Sequence, residues 1–256
     1  MEHRLLSGGV IYIDNCPTYK VTLQDMADYG YGQIQEVISL MTADDSAATR
    51  LLTNVEGTVS TFCVVAIGIM QDLMRTNNDE EKRGGSLYDT VLKFLSLFFR
   101  SEVYFDENIG FVVNDDKGNV SFILNENNYN EFRNILKQRN CLGDIDDFLA
   151  ENPANEMAAK LLEKKRMLKE KVRRLKKSDD EDTITMADLI SIFADAKKMP
   201  LQDVYRNYDV YQFNNQFNRL KIMDDYRVNI QALMAGAKSE DVKLQHWISK
   251  IKKEEN

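Results

Sequence analysis

Residues Asn207–Lys252 read NYDVYQFNNQFNRLKIMDDYRVNIQALMAGAKSEDVKLQHWISKIK, and the fold reading starts from their periodicity. Val210, Phe213, Phe217 and Leu220 recur at steps of three and four, and Met223, Tyr226, Ile230 and Leu233 continue the row. That spacing predicts one amphipathic helix over roughly Tyr208–Met234. Gly236 falls where a C-terminal cap belongs, and Lys238–Asp241 form a turn. Val242, Leu244, Trp247, Ile248 and Ile251 then suit a short terminal helix that carries the single Trp of the chain.

Upstream the pattern stays helical. Pro200 stands at the first position of a short helix reaching Arg206, where its missing N–H costs little. Met186–Lys197 form another helix after Thr183-Ile184-Thr185. Before these lies a charged helix, Ala154–Lys177. Its part 160–177 holds ten Lys and Arg against Glu163 and Glu170, a net charge of +8, and an acidic linker follows at Ser178–Asp182. The composition shift near Pro153 divides the chain into an N-terminal domain (1–152), a basic connecting helix with its linker (153–182) and a helical C-terminal domain (183–256).

The N-terminal part mixes both kinds of element. Val10–Asp14 (VIYID) is a short β-run that Tyr19–Val21 continues past Pro17, a residue that bars an uninterrupted central strand. Thr22 opens a helix with Asp25 three residues on, a capping-box variant. Met26, Tyr29, Ile34, Val37, Ile38 and Met41 form its stripe, and Gly30 and Gly32 predict a break. Asp44-Asp45-Ser46 form a loop or cap before a short helix at Ala47–Leu52. Val59–Met74 is apolar on nearly all sides and too long for an ordinary strand, so it reads as a buried helix. Ser86 caps a helix over Leu87–Arg100, with Leu87, Val91, Leu92, Leu95 and Phe98 or Phe99 facing inward. Phe111–Val113 and Val120–Leu124 flank Asn114–Asn119, a hairpin in which Gly118 supplies positive φ. Val103–Phe105 offers a third strand, and a helix over Tyr129–Arg139 follows. The expected class is α+β, mainly helical: an N-terminal helical domain with a small antiparallel β-hairpin or sheet, a charged connecting helix and an all-α C-terminal domain.

Composition narrows the function. The chain has 256 residues, 43% of them hydrophobic and 29% charged, enough to fold around a sizeable core. A net charge of −8 argues against a broad nucleic-acid or anionic-membrane surface. Three scattered cysteines (Cys16, Cys63, Cys141) make a poor disulfide framework and fit a reducing compartment. His3 and His246 stand at opposite ends, so no zinc spacing exists. The N-terminus lacks an apolar signal region, and the longest apolar run, Phe62–Met70, is far short of the ~20 residues a membrane helix needs. No nucleophile motif, P-loop or dinucleotide fingerprint occurs, and the run NDDKGN lacks the closing Glu of a calcium loop. The expectation is a non-enzymatic protein without cofactor or metal.

Binding residues are therefore sought on the amphipathic C-terminal half. Phe213, Phe217, Leu220, Tyr226, Leu244, Trp247 and Ile248 are the candidate partner-binding residues, with core packing as the competing reading of the same seam. Lys164, Lys165, Arg166, Arg173 and Arg174 are the candidate electrostatic contacts. Without interleaved aromatics or a known binding module, this basic helix reads as a solvated helix or as a contact to acidic surface before it reads as a nucleic-acid site.

Several stretches in order resemble the tail assembly proteins of long-tailed phages and prophages of Gram-positive bacteria. They are Thr22-Leu23-Gln24-Asp25 with Asp28-Tyr29-Gly30-Tyr31, Phe98-Phe99, the hairpin followed by Asn128-Tyr129-x-x-Phe132-x-x-Ile135, and Asn152-Pro153-Ala154-Asn155. Asp225-Tyr226, Ala232-Leu233-Met234-Ala235-Gly236-Ala237, Leu244 and Trp247 complete the series. The likeness covers most of the chain, and its motifs are packing and turn residues. It implies a tail assembly chaperone in the host cytoplasm that binds the tape-measure protein and tail-tube subunits; self-association into a homo-oligomer stays open. The alternatives are a structural virion protein, or a nucleic-acid-binding or host-directed phage regulator using the basic helix.

Overall fold

The computed structural model describes residues 1–52, 57–76, 86–142, 184–238, 242 and 246–248. The protein is α+β and mainly helical. It divides into two compact units: Met1–Leu142 with Tyr205–Phe213, and Gly143–Val204 with Asn214–Asn256. The basic connecting helix and its acidic linker, with Lys164, Lys165, Arg166, Arg173 and Arg174, lie outside the described residues.

The first unit begins with α1 (Glu2–Ser7), then β1 (Ile11–Ile13) and β2 (Cys16–Thr18), which pair antiparallel with Ile11 opposite Thr18 and Ile13 opposite Cys16. The β-run expected to continue through Tyr19–Val21 instead turns back at once. Asp14 takes a left-handed φ of 49°, and Pro17, opposite Tyr12, sits in a two-stranded ribbon where its missing donor is tolerated.

α2 (Leu23–Asp28) starts at Thr22, whose Oγ1 accepts from Asp25 N–H at 3.1 Å while Asp25 Oδ2 accepts from Thr22 N–H at 2.8 Å. The reciprocal pair satisfies two otherwise orphaned donors. The glycine break falls at Gly30 (φ 91°), and Gly32 is absorbed into α3 (Tyr31–Thr42). α4 (Asp45–Thr49) and α5 (Thr61–Thr76) follow.

α6 (Leu87–Phe99), capped by Ser86, buries Val91, Phe94, Leu95, Phe98 and Phe99, a helical stripe. Leu87, expected inside, is exposed at the helix start, and Leu92 is half-buried beside the stripe; Phe94 and both Phe98 and Phe99 fill the interior instead. A meander of β3 (Val103–Asp106), β4 (Gly110–Asn114) and β5 (Val120–Leu124) comes next, with Phe105 opposite Phe111 and Phe111 opposite Leu124. Gly110 (φ 107°) is required there, because a Cβ would come within 2.5 Å of the Leu124 carbonyl oxygen. The NDDKGN stretch is a turn closed on itself: Asp115 Oδ1 accepts from Lys117 N–H at 2.9 Å and Asn119 N–H at 2.8 Å, and Gly118 has φ 80°.

α7 (Glu126–Arg139) starts one turn earlier than its apolar row suggests, capped by Asn125 with Asn128 reciprocating. Its Phe132 is fully buried and lies 5.4 Å from Phe98, 5.5 Å from Tyr129 and 6.5 Å from Phe99, centroid to centroid. This aromatic knot is the centre of the unit, with α3 packed on α5, α6 and α7 around it. A polar hub ties the rim. Asp45 Oδ1 accepts from Thr61 N–H (3.1 Å), Thr61 Oγ1–H (2.6 Å) and Arg133 Nη1–H (2.8 Å). The Thr61 hydroxyl first, with Arg133 adding, holds the Asp45 carboxyl below its usual range. Tyr129 donates its hydroxyl to the Met41 carbonyl at 3.0 Å, and burial pushes the pKa of that phenol up.

Tyr205–Phe213 completes this unit from far along the chain. Leu23 N–H donates to the Tyr208 carbonyl (2.9 Å), Lys20 Nζ to the Asn207 carbonyl (2.6 Å), and Gln212 Nε2 to the Leu6 carbonyl (2.9 Å). Asp209 is buried opposite Arg139. Desolvation depresses the Arg139 pKa against the pull of Asp209. Desolvation also raises Asp209, opposed by the Gln212 N–H bond and by Arg139.

Three further helices follow: α8 (Met186–Lys197), α9 (Leu201–Asn207) and α10 (Val210–Met234). Thr185 and Asp188 form a capping box on α8. Pro200 sits one position before α9, its carbonyl accepting from Asp203 N–H at 3.0 Å, so it caps the helix instead of starting it. Among the described residues no helix is long and apolar enough to cross a membrane.

Candidate partner-binding surface

The row of apolar residues read from the sequence lies on α10, but its parts differ in burial. Val210 and Phe213 belong to the core of the first unit, and Phe213 is 0% exposed. Phe217, Leu220, Met223, Tyr226, Ile230 and Leu233 are half-buried along the rest of the helix, and Val228 is exposed. The helix ends as its sequence predicts: Gly236 adopts φ 99°, and Ala237 N–H donates to the Ala232 carbonyl at 3.0 Å.

Trp247 and Ile248 form a turn near the C-terminus and are 45% and 67% exposed. The terminal helix expected around them, with Leu244 and Ile251, falls largely outside the described residues. Two residues seven apart on α10, and so on one face, hold the turn. Arg219 Nη1 donates to the Trp247 carbonyl at 3.3 Å. Tyr226 meets the His246 ring at 5.4 Å between centroids, and that ring stacks on Trp247 at 5.9 Å with 22° between planes. His246 Nδ1 accepts from Ile248 N–H at 3.2 Å, which fixes the imidazole beside the indole.

The result is a shelf of Tyr226, His246 and Trp247 in which Trp247 stays partly open to solvent. Large aromatics that keep an apolar body near water are the usual anchors of protein interfaces. Of the seven partner-binding candidates, the structure joins Tyr226 and Trp247 in this shelf, places Ile248 next to it, and sets Phe217 and Leu220 on α10 with Tyr226. Phe213 is in the core, and Leu244 lies outside the described residues. His246 and Arg219, which order the shelf, were not singled out by apolar periodicity because neither is apolar. Among the described residues no group of three His, Cys, Asp or Glu is placed to hold a metal ion.

Comparisons with curated proteins and with solved structures gave no match. Residues 176–252, which include the shelf, match the model of a family described as YomV second domain, so this part of the chain is similar to a phage-derived domain family.

Proposed function

We propose that the protein is a non-enzymatic, tail assembly chaperone-like phage protein. It binds apolar helical segments of the tape-measure protein, and tail-tube subunits, in the cytoplasm of the bacterial host. The observation that carries this reading is the solvent-facing Trp247 and Ile248 on an ordered aromatic shelf, within the stretch similar to a phage-derived domain. Such a shelf suits helix-in-groove recognition, in which Trp247 would insert between side chains of an amphipathic helix and the half-buried row on α10 would flank it. The resemblance along the rest of the chain supports the choice of partner.

The test is co-expression of the tape-measure protein with the full chain, as wild type and as the double variant Trp247→Ala/Ile248→Ala. Both residues are surface-exposed, so the variant keeps its far-UV spectrum and loses capture. Undiminished capture by the folded variant would overturn the proposed surface. Mass spectrometry of purified particles separates the chaperone from a structural virion protein: the chaperone is absent from finished tails.

A further inference from the structure

The pairing of Arg139 with Asp209 is close enough for charge attraction and too wide for a hydrogen bond. Arg139 Nη1 and Asp209 Oδ2 are 3.9 Å apart, with side chains only 4% and 3% exposed. Arg139 Nη2 is satisfied by the Gly9 and Thr18 carbonyls at 3.0 and 3.3 Å, and Asp209 Oδ1 by Gln212 N–H at 2.8 Å. Among the described residues, Arg139 Nε, Arg139 Nη1 and Asp209 Oδ2 have no hydrogen-bond partner and are buried. A buried ion pair is stable only when its remaining donors and acceptors are met.

Arg139 and Asp209 line a cavity of about 10 Å³ together with Asn140 and the apolar Met26, Ile38, Phe98 and Val210. That volume suits one water and nothing larger. The chemistry of the lining narrows the occupant further. A cation is repelled by the guanidinium, and an anion by the carboxylate. A neutral group of one heavy atom that both accepts and donates fits both sides.

We propose that this cavity is an internal water site, in which one water accepts from Arg139 Nε–H or Nη1–H and donates to Asp209 Oδ2. Tyr205–Phe213 is then fastened to the rest of the first unit through a solvent-mediated bridge as well as by direct bonds.

Two measurements on the full chain test it. In a crystal structure at a resolution that shows ordered solvent, a peak is expected within about 2.7–3.2 Å of Asp209 Oδ2 and of an Arg139 nitrogen. Direct contact between Arg139 and Asp209, or a cavity without density, would overturn the site. In solution, oxygen-17 relaxation dispersion should count one fewer long-lived water in Val210→Ile, which fills the cavity, than in wild type. An unchanged count in the folded variant would also overturn it. If the variant does not fold, the wild-type density alone decides.

Discussion

Replacing Phe132 with Ala removes the ring about which the first unit is packed. The side chain has no exposed surface, and its ring neighbours Phe98, Phe99 and Tyr129 come from two helices, α6 and α7 itself. Loss of a buried Phe side chain costs about 3–5 kcal/mol, the transfer of the ring plus the cavity left behind. The upper half of that range applies, because Phe98 and Phe132 meet edge to face at 5.4 Å and 81°, and neither helix can close the gap without moving the other ring. Against a total stability of about 5–15 kcal/mol, this is about a quarter or more of the whole. Urea titration followed by far-UV circular dichroism measures it. The single Trp is a poor reporter, since Trp247 lies in the other unit. Phe132→Ala should shift the midpoint strongly, and Phe132→Leu should fall between it and wild type. A cost below about 1 kcal/mol for Phe132→Ala would refute the central place given to the knot.

Other perturbations follow from single bonds. Thr22→Ala deletes one half of a capping box and should cost about 0.5–2 kcal/mol by the same titration. Gly110→Ala forces a Cβ toward the Leu124 carbonyl at a positive φ, so it should destabilise by more than about 1 kcal/mol and weaken amide protection across β4 and β5 in hydrogen exchange. Asp45 has a carboxyl pKa depressed below its ordinary 3.8, so its stabilising effect is complete above that value and is lost as pH falls through the lower, folded value. A stability profile from pH 5 down to about pH 2 should therefore fall less steeply for Asp45→Ala than for wild type; parallel profiles would remove Asp45 from the acid response.

The elements most legible in the sequence were those fixed by nearby residues. Thr22 with Asp25 and Ser86 at the head of α6 sit at the spacing their hydrogen bonds require, and Gly30, Gly118 and Gly236 stand where positive φ occurs. The three-stranded meander followed from two β-rich runs around a turn. What failed was knowledge of what each face packs against. Periodicity put Phe213 and Phe217 on one seam, and burial separates them, because a helical row records a direction and not a partner. The role of Arg139 was invisible for a related reason: its carboxylate is seventy residues away, at Asp209. Asp209 could have been found, since Asp209-Val210-Tyr211-Gln212 has capping-box spacing and Asp209 Oδ1 does accept from Gln212 N–H at 2.8 Å. The tail shelf depends on Arg219 and His246, which no apolar pattern selects.

The first unit is discontinuous in sequence, and that bears on how the protein is made and cut. Its last strip, Tyr205–Phe213, leaves the ribosome more than sixty residues after Leu142. Until then the nascent chain carries Arg139 without its carboxylate and Leu23 without the Tyr208 carbonyl. A fragment ending anywhere between 143 and 204 preserves that incomplete state permanently, and one beginning at 183 carries the strip away from its seat. Dividing this protein at its most obvious compositional boundary would thus damage the first unit, so loss of binding in such a fragment would say little about where a partner sits. Point changes in the intact chain avoid that ambiguity.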